Sequence, residues 1–256
     1  MPFYVSPEQA MKDKADYARK GISRGRSVVV LQYADGILFV ADNPSRALHK
    51  ISEIYDRIAF AAVGKYNEFE NLRQQGVRYA DVNGYMYDRR DVTARGLANA
   101  YATALGTVFT DSNKPYEVEI VVAEVGVDVA SDQIYRLTFD GSVADEQGYV
   151  AMGGQVDEVA AALKDRFEDG LPLARALGVC VHALEQQDAD RHLEAGQLEV
   201  AVLDRNRDHR LFRRLPAARI EQLLEEAGGG APAAPEPSEG EDSGTGDSGG
   251  DDTSAE

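Results

Sequence analysis

Residues 26–63 read RSVVVLQYADGILFVADNPSRALHKISEIYDRIAFAAV, and this stretch decides the fold. Val28 to Tyr33 and Ile37 to Asp42 are runs of β-branched, aliphatic and aromatic residues joined by Ala34-Asp35-Gly36. Ile51 to Ile54 and Ile58 to Val63 repeat the arrangement around Tyr55-Asp56-Arg57. A short turn containing Asp and Gly between two such runs is a hairpin signal, so the stretch predicts four strands in two hairpins.

Upstream, Ser6-Pro7-Glu8-Gln9 reads as a helix start, with Ser6 as N-cap, Pro7 at the first helical position and Gln9 closing a capping box. The helix is expected to run to about Lys20, where Gly21 supplies a left-handed stop. It is highly charged, and its large apolar residues are few beyond Met11 and Tyr17. Such a helix buries little against its own domain and belongs at the periphery or against another subunit.

Downstream come two helices, the first carrying Phe69 and Leu72, the second Leu97, Tyr101, Leu105 and Val108 at helical spacing. Three strands follow, marked by Val118, Ile120 and Val122, by Tyr135, Leu137 and Phe139, and by Tyr149 to Met152. Two further helices carry Val159, Leu163 and Phe167, then Leu173, Leu177, Val181 and Leu184. Leu198, Val200 and Val202 alternate again, Leu211 and Phe212 pair back, and a last helix begins at Pro216. Strands and helix pairs in separate blocks argue against a βαβ parallel sheet. They predict an α+β fold, a four-layer αββα sandwich of two antiparallel sheets flanked by helices. The chain divides into an N-terminal segment with its capped helix (1–25), the sandwich (26–227) and an acidic tail (228–256) without apolar periodicity, expected to be disordered.

The 256 residues are enough for a substantial core, and 43% of them are hydrophobic. Lys and Arg number 27 against 44 Asp and Glu, a net charge of −17 that argues against a nucleic-acid or anionic-membrane partner. Eight of those charges lie in the tail, which has no Lys or Arg, so the body carries −9. Cys180 is the single cysteine, which excludes an internal disulfide and a cysteine zinc cluster. No apolar stretch approaches membrane-spanning length and the N-terminus lacks the apolar run of a secretory signal, so a cytoplasmic location is expected.

The common catalytic and cofactor motifs are missing. The sequence holds no G-x-x-x-x-G-K-[ST], G-x-G-x-x-G or H-E-x-x-H, and His49, His182, His192 and His209 lack metal-ligand spacing. No cofactor or metal is expected. Cys180, on the apolar side of a helix, reads as a small core filler, and Gly153-Gly154 as a strand-to-helix turn. Arg205, Arg207, Arg210, Arg213 and Arg214 form the one basic cluster, read as a solvated hairpin or a subunit contact.

Long collinear blocks carry a further reading: SPEQAM at 6–11, ARKGISRGRSVVV at 18–30, DGILFVADNPSRALHKISEIYDR at 35–57, YDRRDVTARGLANAYA at 87–102, KPYEVEIVVAEV at 114–125 and LEVAVLDRNRDHRLFRRL at 198–215. In these blocks and their order the chain resembles the α-type subunits of 20S proteasomes, most of all the actinobacterial ones. The resemblance implies the N-terminal nucleophile hydrolase fold. Catalytic β subunits of that family open their first strand with a Thr whose free α-amino group is the base. Here Arg26-Ser27 stands at that place, behind a complete helix, although Asp42 and Lys50 resemble the Asp and Lys that accompany the Thr. No catalytic residue is therefore expected. The alternative is a self-processing hydrolase that uses Ser27 after cleavage before it; Pro2, exposed by methionine removal, is a still weaker candidate.

By the same resemblance the chain forms outer heptameric rings on rings of β subunits, gates passage of unfolded or modifier-tagged proteins, and docks a hexameric AAA+ ATPase. Lys50 matches the Lys that receives the C-terminal carboxylate of the ATPase, Asp16 the acidic pocket residue of the N-terminal helix, and Gly64 a small residue that admits the incoming tail. Lys65 departs from the pattern, standing where archaeal relatives have an apolar side chain. Pro2, Phe3, Tyr4 and Val5, with Met1, are expected to plug the axial opening. Of the archaeal gating cluster only Pro7 and Tyr17 find counterparts.

Overall fold

A computed structural model of the chain describes residues 6–187 and 191–228. In chain order its elements are α1 (Pro7–Ser23), β1 (Val28–Tyr33), β2 (Gly36–Asp42), β3 (Ile51–Tyr55), β4 (Ile58–Gly64), α2 (Tyr66–Met86), α3 (Ala94–Asp111), β5 (Val118–Glu124), β6 (Gln133–Leu137), β7 (Val143–Asp145), β8 (Tyr149–Met152), α4 (Val156–Arg166), α5 (Leu173–Glu185), β9 (Leu198–Asp204), β10 (Phe212–Arg214) and α6 (Ala217–Gly228). The first hairpin pairs Val28 with Ala41 through to Tyr33 with Gly36. Gly36 sits at φ +153° against the neighbouring strand, where a Cβ would run into the Leu203 carbonyl, so the residue that closes the turn has to be glycine.

The strands form two five-stranded sheets, ordered β10-β9-β2-β1-β8 and β3-β4-β5-β6-β7, antiparallel throughout. Successive side chains of a strand point to opposite faces. Val28, Val30, Phe39 and Ala41 of the first sheet meet Ala59, Ala61, Val121 and Ala123 of the second in a central core. The alternate residues Val29, Leu31, Leu38 and Val40 face outward onto Leu163, Leu177, Leu184 and Ile220 of α4, α5 and α6. Phe60, Ala62, Ile120 and Val122 of the second sheet face Phe69, Leu72, Leu97 and Leu105 of α2 and α3. Both faces of both sheets are covered, which is why VVVL and GILFVA read as unbroken apolar runs. The four-layer αββα sandwich is the predicted one.

The structure departs from the sequence reading at three places. Between α3 and α4 there are four strands where three were expected: β7 pairs back on β6 after a turn in which Thr138 N donates to Ser142 O at 3.1 Å. Helix α1 does not stop at Gly21. It continues to Ser23, and the missing Cβ of Gly21 leaves room for the Glu117 carboxylate. The Ser6 cap forms, with Ser6 Oγ accepting from Gln9 N at 3.2 Å, but the Gln9 amide turns to Asp13 rather than closing a capping box. The 1–5 segment and the tail beyond Gly228 lie outside the described residues.

Candidate functional site

Three strand ends meet at one end of the sandwich: the start of β1 with Arg26 and Ser27, the end of β2 with Asp42, and the start of β3 with Lys50. The loop between Asp42 and Lys50 is fastened from below by Glu199 of β9, a buried carboxylate. Its Oε2 accepts from Asn43 Nδ2 at 2.8 Å and Lys50 N at 2.9 Å, its Oε1 from Ile51 N at 3.2 Å, and it pairs with Arg214. Arg214 in turn donates to Ile51 O at 2.7 Å. With its backbone held this way, half-buried Lys50 turns its ammonium inward, donating to Arg26 O at 2.7 Å and Asp42 O at 3.3 Å.

Burial lowers the Lys50 pKa to about 8, with Arg26 adding to the effect and Asp42 and Glu199 opposing it. An ammonium has three N–H donors, so two carbonyls leave one for a ligand. Asp42 is 1% exposed and clamped by two guanidiniums, Arg26 at 2.9 Å and Arg191 at 2.8 Å. Ser27 is fully buried, its Oγ 2.9 Å from Gly153 O and 2.8 Å from Gln187 Oε1. Its nitrogen is an amide joined to the carbonyl that Lys50 holds, so among the described residues a peptide bond stands at the start of β1 beside the Lys50 side chain.

Gly64 lies beside this cluster: a Cβ on Gly25 would stand 3.4 Å from Gly64 N, and Gly64 itself, at φ +105°, presses against the Glu117 carbonyl. The same carbonyl accepts from Lys65 N at 2.9 Å. Lys65 Nζ stands 3.8 Å from Glu68 Oε1, while Lys114 bridges Glu68 at 2.7 Å and Glu117 at 2.9 Å. The hydrogen bond from Lys114 holds the Glu117 carboxyl below its ordinary range against the opposing effect of burial, and a bond from Tyr17 adds to it. Pro7 opens α1 at its first turn. Asp16 is exposed on α1, paired with Arg19 at 3.2 Å, so the structure groups Lys50 with Gly64 and leaves Asp16 on the helix surface. Pro2, Phe3, Tyr4 and Val5 lie outside the described residues.

Residues 22–203 match the sequence profile of the family described as Proteasome subunit. The chain belongs to the proteasome subunit family. It is 78% identical to a proteasome subunit alpha from Thermomonospora curvata over 226 residues, 88% of this chain and 98% of that one. A proteasome subunit alpha from Streptosporangium roseum is 67% identical over 94% of this chain and 93% of its own length, and one from Thermobifida fusca 65% identical over 89% and 92%.

Several charged positions of this proteasome subunit belong to no motif in its sequence. Glu119, Glu124 and Glu199 stand inside strands buried on both faces, where a carboxylate persists only with partners. Arg136 meets Glu119 at 3.3 Å, while Arg57 at 3.1 Å and the Ala94 amide at 2.7 Å meet Glu124. A Glu within an otherwise apolar strand was the available signal. The arginine cluster lies on the hairpin of β9 and β10. There Arg205 makes a two-pronged contact with Asp132 at 2.8 and 2.9 Å, and Arg210 pairs with Glu53 at 2.7 Å. Cys180 is fully buried and its thiol pKa is pushed up by desolvation, as suits a core filler.

Proposed function

We propose that this proteasome subunit is the non-catalytic alpha component of a core particle. It forms the outer seven-membered rings on rings of a threonine-bearing beta subunit, gates the passage of unfolded or modifier-tagged proteins, and docks a hexameric ATPase in the cytoplasm. The observation that carries the reading is the amide of Ser27. Helix α1 and Arg26 precede it, so the position that needs a free amino group is a peptide bond, fastened through its carbonyl to Lys50.

For docking, the remaining N–H of Lys50 meets the terminal carboxylate of the ATPase. A charge-assisted bond of this kind contributes roughly 1.5–3 kcal/mol. Gly64 keeps the neighbouring backbone clear, Lys65 adds a second cation, and Asp16 of α1 supplies the acidic wall. Met1 to Val5 occupy the axial opening, with Pro7 and Tyr17 setting the base from which they leave.

Co-expression with a candidate beta subunit, followed by sizing and peptide hydrolysis, tests the reading. A large particle that cleaves peptides only when both chains are present supports it; cleavage by the purified chain alone overturns it. Intact mass decides the rival use of Ser27, since loss of the first 26 residues is required for that chemistry. Within the assembled particle, Lys50→Ala removes ATPase-stimulated degradation and leaves small-peptide hydrolysis nearly intact, whereas deleting Met1 to Val5 speeds it.

A further inference from the structure

The Lys50 pocket and helix α1 meet at a residue that the function proposed above leaves unused. Glu117 stands just before β5, and its main chain and side chain serve different neighbours. The Glu117 carbonyl accepts from Lys65 N at 2.9 Å and lies so close to Gly64 that a Cβ there would run into it. The Glu117 amide donates to Glu68 Oε2 at 2.7 Å. On its other side the Gly64 backbone lies against Gly25, one residue before the Arg26 carbonyl that Lys50 holds. The backbone of Glu117 therefore belongs to the floor of the pocket.

The side chain of Glu117 turns the other way, to α1. Its carboxylate fills the space left by the missing Cβ of Gly21 and accepts from the Tyr17 hydroxyl. Lys114 bonds it at 2.9 Å, reaches Glu68 at 2.7 Å and stands 5.7 Å from the centre of the Tyr17 ring. Elsewhere α1 rests on Ala15, Ala18 and Ile22, with Lys14 donating to the Phe109 carbonyl at 3.1 Å. One residue thus touches the pocket with its backbone and the helix with its carboxylate.

The charges of this cluster balance, with the carboxylates of Glu68 and Glu117 set against the ammoniums of Lys65 and Lys114. Lys65 is the looser cation, 3.8 Å from Glu68 and half exposed. A further carboxylate arriving over Lys50 and Gly64 draws Lys65 towards itself and adds a like charge beside the other two. Lys65 is one of the cations that favour the ionised form of Glu117, so its withdrawal weakens the hold on that carboxylate. A ligand shifts an equilibrium only by its differential affinity for the two states. Here the difference is the crowding of like charges, relieved when the Glu117 carboxylate swings off Gly21 into solvent.

We propose that Glu117 is a positioning residue that holds α1 in place while the pocket is empty and releases it when a carboxylate docks at Lys50. The inference rests on the docking and gating proposed above and supplies the residue that links them. Glu117 acts through α1, which carries the gate segment at its start. The link is reciprocal: a substitution that frees α1 favours docking by the same factor by which it favours the open gate.

Two substitutions free α1 by different means in the particle assembled with the beta subunit. Glu117→Gln removes the charge that Lys114 holds. Gly21→Ala leaves every charge in place, but its Cβ evicts the Glu117 side chain. Ala also favours helix over Gly, so a purely structural role would make this variant steadier rather than looser. Each is expected to raise peptide hydrolysis without ATPase about fivefold, and to tighten binding of the hexameric ATPase of the same organism by a similar factor. Sizing shows that the particle is intact. Unchanged hydrolysis in either variant overturns the proposal. Faster hydrolysis with unchanged or weaker ATPase binding also overturns it, since Glu117 would then support α1 without a link to the pocket. Failure of the underlying reading looks different: the unsubstituted particle would bind no ATPase, or its hydrolysis would not respond to deletion of Met1 to Val5, and the inference would fall with that reading.

Discussion

Arginine and carboxylate gather at both ends of the sandwich, but on different terms. At the Lys50 end, Asp42 and Glu199 are shut away from water and each is held by several donors, including the guanidiniums of Arg26, Arg191 and Arg214. At the hairpin end, Arg89, Arg90 and Arg210 stand in solvent beside single carboxylates. A buried ion is expensive to leave unpaired, so the first arrangement fixes positions residue by residue. Exposed pairs are screened and nearly neutral in stability, so the second depends on net charge rather than on any one side chain.

The comparison breaks most visibly at Glu199. Glu199→Ala strands the Asn43 amide, two backbone N–H groups and Arg214, and is expected to destabilise by about 3–5 kcal/mol. In a chain of this size that lowers the melting temperature by roughly 10 °C in a thermal scan; a loss of only a degree or two would show that water replaces the carboxylate. Asp42→Asn comes next. It removes the charge that Arg26 and Arg191 share, costing about 2–3 kcal/mol, and it takes away an influence that raises the Lys50 pKa. Titration of Lys50 by NMR should therefore move below 8, and an unmoved midpoint would sever the link between the two residues.

The pH dependence sharpens the contrast. The folded pKa of Lys50, about 8, lies below its ordinary value of 10.5, so its contribution to fold stability rises as pH climbs from 8 towards 10.5. The proposed docking runs the other way, because the carboxylate needs the ammonium. Affinity for a peptide ending in a free carboxylate is expected to fall about tenfold between pH 7 and 9, as the protonated fraction of Lys50 falls. A flat profile would leave Lys50 out of the pocket. The smallest effect belongs to the opposite end, where Arg90→Ala should leave the melting temperature unchanged within error.

Much of this was legible in the chain itself. Ala34-Asp35-Gly36 marked its hairpin and Ser6 its cap because both signals are local. The sandwich followed from blocks of strands and helices whose apolar faces need covering. Strand β7 escaped because its three residues lie at a sheet edge with both outer positions exposed, which leaves no alternation to read. Gly21 misled for a different reason: glycine also serves where another side chain must come close, and Glu117 lies 96 positions further on. Lys50 was visible through resemblance, but the partners of Asp42 and Lys50 were not. Arg191 is remote in sequence, and only the pairing of β2 with β9 brings Glu199 under the loop.

Helix α1 gives the molecule a compliant rim. Only Ala18 and Ile22 of its seventeen residues are buried, Ala15 packs partly against the same core, and polar attachments such as Tyr17 to Glu117 and Lys14 to the Phe109 carbonyl add to these. Tilting it would uncover little apolar surface, whereas moving any strand would open a close-packed layer. Motion at this end can thus be confined to one element, and the sandwich beneath remains a stationary frame while its edge shifts.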